Sequence, residues 1–406
     1  MVDNLELPTN YTLNSVLLED FENLSQWAVA TADVNYASIS ADTTNIFSGT
    51  QSLKLTVTSG IRMAVRIMDE DFSGKWKVSF FRFYIEDLAS LSYMEIIIGA
   101  SSTKNFSITA TGTYPNLQLN GITLKQGWNF IPVLAEDWTV IGGFKQTDRV
   151  KRIYLKIQQR SASGIPASVS FDGFYYDHKG FSRCIITFDD TWDSMFTKAY
   201  PIMESRKIPG TVYHTSGLTG SAGITTTDHL DALYANGWDI CSHASTHINL
   251  SELSVAEVED NVGESMEWLL NRGYKRSYRH FAEPFGHSSE NIKTALSNLG
   301  VLTARQGNKR PIFLPTFDMY QVRAFSVFPT HTIQDWKDFV DTCLNTDACF
   351  CVIVHGLTDW GTPDILESLF LDMMDYLVER KVKCVTMSEW YEGITNPRYR
   401  TFSLNR

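Results

Sequence analysis

A chain of 406 residues is too long for one ordinary hydrophobic core, so two domains are expected. Its 43% hydrophobic and 20% charged content excludes a disordered chain, and a formal charge of -11 without a long basic run argues against a nucleic-acid partner. No apolar stretch approaches the roughly 18 residues needed to cross a membrane, so no membrane partner is expected.

The opening segment, MVDNLELPTNYTLNS, lacks the basic region and apolar stretch of a secretory signal. Up to about residue 178 the chain reads as all-β. Short alternating runs such as SVLLEDF, SLKLTVTS, KVSFFRFYI, YMEIIIGA, RIYLKIQ and SVSFDGFYY are punctuated by Gly, Asn, Ser and Thr. That spacing predicts a β-sandwich or barrel over residues 1–178.

From residue 179 strand-like runs alternate with helical ones. RCIITF, GTVYH, WDICS, YRHFA, VLTA, QVRAF, CFCVIVH and VKCVT read as strands. Helical patterns fall near 194–206, 227–236, 254–272, 289–299, 332–345 and 363–381. In the third of these, Val255, Val258, Val262, Met266, Leu269 and Leu270 recur at helical spacing, and Ser254 with Glu257 forms a capping-box pattern. Roughly eight βα units over 179–406 predict a parallel, distorted TIM-like barrel, because parallel crossovers need helices. Cys184, Cys241, Cys343, Cys349, Cys351 and Cys384 show no framework spacing and no CxxC, so buried free thiols are expected.

Chemistry in such barrels stands at the carboxyl ends of the strands. The first strand ends at Asp189 and Asp190, the third leads to His243 and His247, the fourth to AEPFGH, and the seventh to His355. Two imidazoles four residues apart share a face on a helix and suit a divalent cation. Two adjacent carboxylates repel each other, and that repulsion is offset if one is committed to a metal. Taken singly, each element has a bland reading as a cap or a surface group. Four strands delivering such groups to one rim point to a functional site with metal ligands, a base and an acid.

The stretches TFDDTWDS, SHASTH, AEPFG and VIVHG resemble the successive motifs of the NodB-like polysaccharide deacetylases, carbohydrate esterase family 4, over about residues 181–395. The resemblance implies that Asp190, His243 and His247 hold a divalent metal, usually zinc, and that Asp189 is the general base. It also implies that His355 is the general acid, that Phe285 sits where its backbone N–H can serve the oxyanion while its side chain walls the site, and that Pro284 lines the substrate side. The implied substrate is an acetylated polysaccharide, with N-acetyl groups of amino sugars ahead of O-acetyl esters. A glycan-binding protein that has lost activity is the alternative.

Much of that family opens its third motif with an arginine that pairs with the base; here Ala282 stands in its place. Arg323, in DMYQVRAF, is expected to supply the guanidinium instead. The Trp–Asp pair that backs the acid has two candidates, Gln334–Trp336 and Thr358–Trp360. The front half resembles jelly-roll carbohydrate-binding modules, which implies a structural calcium at acidic groups such as Glu19, Asp20 and Asp172, unless these are solvated strand ends. Glycan chemistry without a visible signal leaves two settings open: a virion component such as a phage tail, with virion assembly partners, or a secreted enzyme.

Overall fold

The computed structural model describes residues 16–30, 34–73, 76–176, 182–307, 312, 319–358 and 365–395. The chain divides into two compact units, Thr12–Lys179 and Gly180–Arg406.

The first unit is built from two six-stranded antiparallel sheets. One contains β1 (Val16–Glu19), β3 (Ala37–Asp42), β4 (Ser52–Val57), β6 (Val78–Ile85), β11 (Gly127–Leu134) and β14 (Ala167–Tyr176). The other contains β2 (Trp27–Val29), β5 (Ile61–Glu70), β7 (Leu91–Ser101), β8 (Lys104–Thr109), β12 (Thr139–Ile141) and β13 (Val150–Gln159). A small hairpin, β9 (Gln118–Leu119) with β10 (Ile122–Thr123), stands apart. Strand alternation sends Leu53, Leu55, Phe81 and Phe83 from one sheet, and Ile96, Ile98, Leu155 and Ile157 from the other, into one core.

The acidic groups expected to hold calcium are engaged by the protein itself. Glu19 is paired with Arg66, and Asp172, fully buried, with Arg82 at 2.7 Å. Asp172 also accepts the Phe47 and Ser48 N–H groups at 2.8 and 3.2 Å, while the Asp20 carboxylate accepts the Glu22 N–H at 3.0 Å. Guanidinium groups and backbone N–H donors thus neutralise what a cation was expected to neutralise. Among the described residues these acids form no metal-type cluster.

The second unit is a closed parallel barrel of seven strands. They are β15 (Cys184–Phe188), β16 (Gly210–His214), β17 (Asp239–Ser242), β18 (His280–Ala282), β19 (Thr303–Gly307), β20 (Val322–Ser326) and β21 (Phe350–Val354). The expected count of eight is corrected. VKCVT makes a single parallel bridge, Cys384 to Cys184, while β21 pairs directly with β15 along its whole length and closes the ring. Small elements β22 (Leu357–Thr358) and β23 (Ile365–Leu366) lie beyond the closing strand.

Outside the barrel stand α1 (Tyr200–Glu204), α2 (Thr227–Ala235), α3 (Val255–Asn271), α4 (Glu290–Asn298), α5 (Ile333–Asn345), α6 (Glu367–Glu379) and α7 (Met387–Thr395). Both halves of the Ser254–Glu257 capping box are formed. The last helix is absent from the sequence-based expectation. Its Ser388 N–H and hydroxyl donate to the buried Asp239 carboxylate at 2.7 and 2.9 Å. All six cysteines are free thiols, five of them buried. Burial pushes the Cys351 thiol up to about 12 and the Cys349 thiol up to about 11, which keeps both protonated.

Alternation within the strands decides what enters the barrel. Phe188, Val212, Ile240 and Val352 face outward into the layer beneath the helices, whereas Ile185, Tyr213, Cys241, Ala282, Ala324 and Cys351 form the interior. His280 shares the parity of Ala282, and its Nδ1 meets the Thr303 hydroxyl at 2.9 Å. Burial holds its imidazole down at about 4.

An exposed imidazole titrates near 6.5, so between these values the folded barrel binds fewer protons than the unfolded chain. Stability is therefore present above pH ~6.5 and falls as pH drops towards ~4, by up to about 3 kcal/mol for this group. Urea midpoints compared near pH ~7 and pH ~4.5 should show that loss, and a His280→Gln variant should show less of it.

Candidate metal centre

Asp189 continues the inward parity of Ile185 and Thr187, and its N–H donates to the Val354 carbonyl at 3.0 Å. A straight strand would turn the next carboxylate outward. The backbone prevents this, because Asp190 and Thr191 both take positive φ, 64° and 54°. The turn brings Asp190 back over the rim.

There Asp190 meets the two histidines. Its Oδ1 lies 3.6 Å from His243 Nε2 and 3.3 Å from His247 Nε2. The three potential ligand atoms all fall within 4.8 Å of one another, the sole such group of three or more acidic, His or Cys side chains among the described residues. His243 extends the inward row of Asp239 and Cys241. Its segment is a bend, not the helix that would put both imidazoles on one face. Ala244 takes φ 67°, and the Asn261 side-chain oxygen accepts the Ser245 and Thr246 N–H groups at 2.9 and 3.0 Å.

The protonation pattern suits a cation. His243 Nδ1 lies 2.9 Å from the Ala282 carbonyl, which only accepts, so this nitrogen carries the proton and Nε2 is left as a lone pair. Burial, and then the neighbouring His243, pull the His247 imidazole below its ordinary value, which favours its neutral form. Burial acts to raise Asp190, but His243, His247 and His355 together outweigh it and hold the carboxyl below its usual range. Two imidazoles and one carboxylate make a three-ligand set with the donor types of hydrolytic zinc sites.

The base candidate has a partner that sequence reasoning placed one strand too late. The guanidinium hydrogen-bonded to Asp189 is that of Arg305 on β19, buried and stacked 5.0 Å from the Tyr213 ring centre. Burial lowers the Arg305 guanidinium, but the Asp189 charge and hydrogen bond together with Tyr213 and Cys351 outweigh it, and the net shift is upward.

The expectation for Arg323 is corrected by strand parity. Arg323 lies between Val322 and Ala324, both interior, and so belongs to the outward row of β20. Ala304 packs in the outer layer, so its neighbours Thr303 and Arg305 point inward. The signal was present in VLTARQG: extending the predicted strand by one residue puts an arginine inside the barrel.

His355 follows β21, half-buried, and its charge is felt at Asp190. The register Phe188 to Val354 makes Asp189 and His355 the next residues on neighbouring strands. After β18, Pro284 is buried, while Phe285 takes φ 61° and is 62% exposed. Its ring stands edge-on to His247 with centroids 4.6 Å apart.

Of the two Trp–Asp candidates, Asp335 caps α5 through Thr332 and Trp336 is buried with its N–H on the Met373 carbonyl at 3.2 Å, both structural roles. Asp359 and Trp360 lie outside the described residues.

Residues 178–304 match the polysaccharide deacetylase family. The poly-beta-1,6-N-acetyl-D-glucosamine N-deacetylase of Staphylococcus aureus is 26% identical over 185 residues, 41% of this chain and 63% of that protein. A chitooligosaccharide deacetylase of Sinorhizobium fredii is 24% identical over 149 residues, 36% of this chain and 60% of that one. A solved peptidoglycan deacetylase from Bacillus subtilis aligns with a TM-score of 0.37 at 15% identity, covering 55% of this chain and 95% of its own. The chain thus spans about three-fifths of the length of the curated relatives it matches.

Proposed function

We propose that this chain, whose second unit carries a NodB-like polysaccharide deacetylase domain, removes acetyl groups from a polysaccharide with the help of a divalent cation. N-acetyl groups of amino sugars are the favoured target, and O-acetyl esters of the xylan type the second. The observation that carries this reading is the convergence of Asp190, His243 and His247 beside the Asp189–Arg305 pair on one rim.

In this reading Asp190, His243 and His247 hold the cation, most suitably zinc given the donor set. When bound, the cation acidifies water and polarises the acetyl carbonyl. Asp189, steadied by Arg305, takes a proton from the attacking water. His355 delivers a proton to the departing amine, so that an amide and water become an amine and acetate. Phe285 offers its backbone N–H to the developing oxyanion and its ring as a wall of the site, with Pro284 fixing the turn.

The strand-rich first unit is read as a jelly-roll-type glycan-binding module. The substrate class places the work outside the cytosol, by a secreted enzyme or a virion component acting on a surface polysaccharide. No helix among the described residues is long and apolar enough to cross a membrane.

The test is acetate release from partially N-acetylated β-1,6-glucosamine polymer, chitooligosaccharides and acetylated xylan. Zinc-loaded protein is expected to release acetate from an N-acetylated glycan, lose that activity with a chelator, and regain it on adding zinc. Absence of acetate from every glycan would overturn the reading in favour of an inactive glycan binder.

A further inference from the structure

We infer that His214 is a positioning residue for the metal centre, its side chain holding Thr191 in the left-handed backbone conformation that aims Asp190 at His243 and His247. This inference rests on the metal-centre reading above.

Thr191 is an unfavourable residue for that conformation. It is β-branched, takes φ 54°, and directly follows another non-glycine residue at positive φ. Such a turn persists only where its surroundings over-determine it. Here its carbonyl accepts the Thr225 N–H at 2.8 Å, and its fully buried hydroxyl lies 2.7 Å from the Asp190 carbonyl and 2.9 Å from His214 Nδ1.

His214, at the end of β16, is itself fixed on every side. Its Nε2 meets the Thr219 hydroxyl at 2.8 Å, and its ring lies 4.8 Å from that of Trp268 on α3. The Thr219 hydroxyl also reaches the Ser216 carbonyl at 2.7 Å. A neutral imidazole has one N–H, so one nitrogen donates to a threonine and the other accepts from one. Each threonine has a second contact to fall back on, so the chain Thr191–His214–Thr219 is satisfied with either tautomer.

One further contact extends its reach: the His214 carbonyl accepts the His243 N–H at 2.9 Å. A single residue therefore ties together the segments bearing two of the three ligands. It touches no ligand atom itself, which makes it a positioning residue and not a catalytic one.

The experiment measures zinc affinity of the full chain by competition with a zinc-chelating dye. His214→Phe is expected to weaken zinc binding by about 10–100-fold, as for other residues that orient metal ligands. Glycine adopts positive φ without a side-chain tie, so adding Thr191→Gly to His214→Phe should recover most of that loss. His214→Asn, which keeps an amide near the Nδ1 position, should lose far less than His214→Phe.

Wild-type affinity in His214→Phe, or a loss that Thr191→Gly does not recover, overturns the inference. Should His214→Phe fail to fold, Thr191→Val carries the same test: it removes the hydroxyl, and undiminished affinity there is equally fatal. Wild-type protein that takes up no zinc sinks the metal-centre reading itself, an outcome distinct from unequal variants.

Discussion

Replacing Asp189 by asparagine is expected to lower kcat by about 10³-fold while leaving metal uptake intact, because in the proposed mechanism it removes the general base and no ligand. Asp190→Asn should do the reverse: zinc stoichiometry falls, and activity falls with it. The two residues are neighbours in sequence, yet one continues the strand's inward row and the other is turned back by positive φ. Elemental analysis beside steady-state kinetics separates them. Loss of zinc from Asp189→Asn with retention in Asp190→Asn would reverse the two assignments.

Arg305→Met should be the most damaging change outside the ligands. Arg305 and Asp189 are 1% and 5% exposed, so removing the guanidinium strands a buried carboxylate. Breaking a buried pair from one side costs about 3–5 kcal/mol, which a urea titration resolves. The loss of a positive charge beside the base should also move the acid limb of the kcat/KM profile to higher pH. Arg323→Ala, by contrast, should leave the profile where it is. A shifted limb in Arg323→Ala with an unshifted one in Arg305→Met would restore the sequence-based assignment.

That reversal shows where legibility ended. The α/β alternation, the long amphipathic α3 with its capping box, and the delivery of Asp189, Asp190, His243, His247 and His355 to one rim are all written in local patterns. Arg305 was missed because the strand was ended at Ala304, three residues short of Gly307, which left the arginine's inward position unread. The eighth strand was over-predicted because VKCVT has strand composition, while pairing depends on a partner that β21 had already taken. Convergence of His243 and His247 was anticipated for a helical reason and is achieved by a bend whose support, Asn261, lies on a distant helix. The partners of Glu19 and Asp172 were hidden for a similar reason: they are arginines far away in sequence.

The seam between β15 and β21 joins positions 165 apart, as in the bond from the Thr187 hydroxyl to the Val352 carbonyl. Everything proposed to hold the cation, and the arginine beside the base, is encoded before that seam closes. The proton donor, and the strand whose carbonyl accepts the Asp189 N–H, come after it. The proposed ligands and the proposed proton donor thus come from opposite sides of that seam. In the proposed mechanism, turnover therefore depends on the β15–β21 pairing that sets Asp189 beside His355.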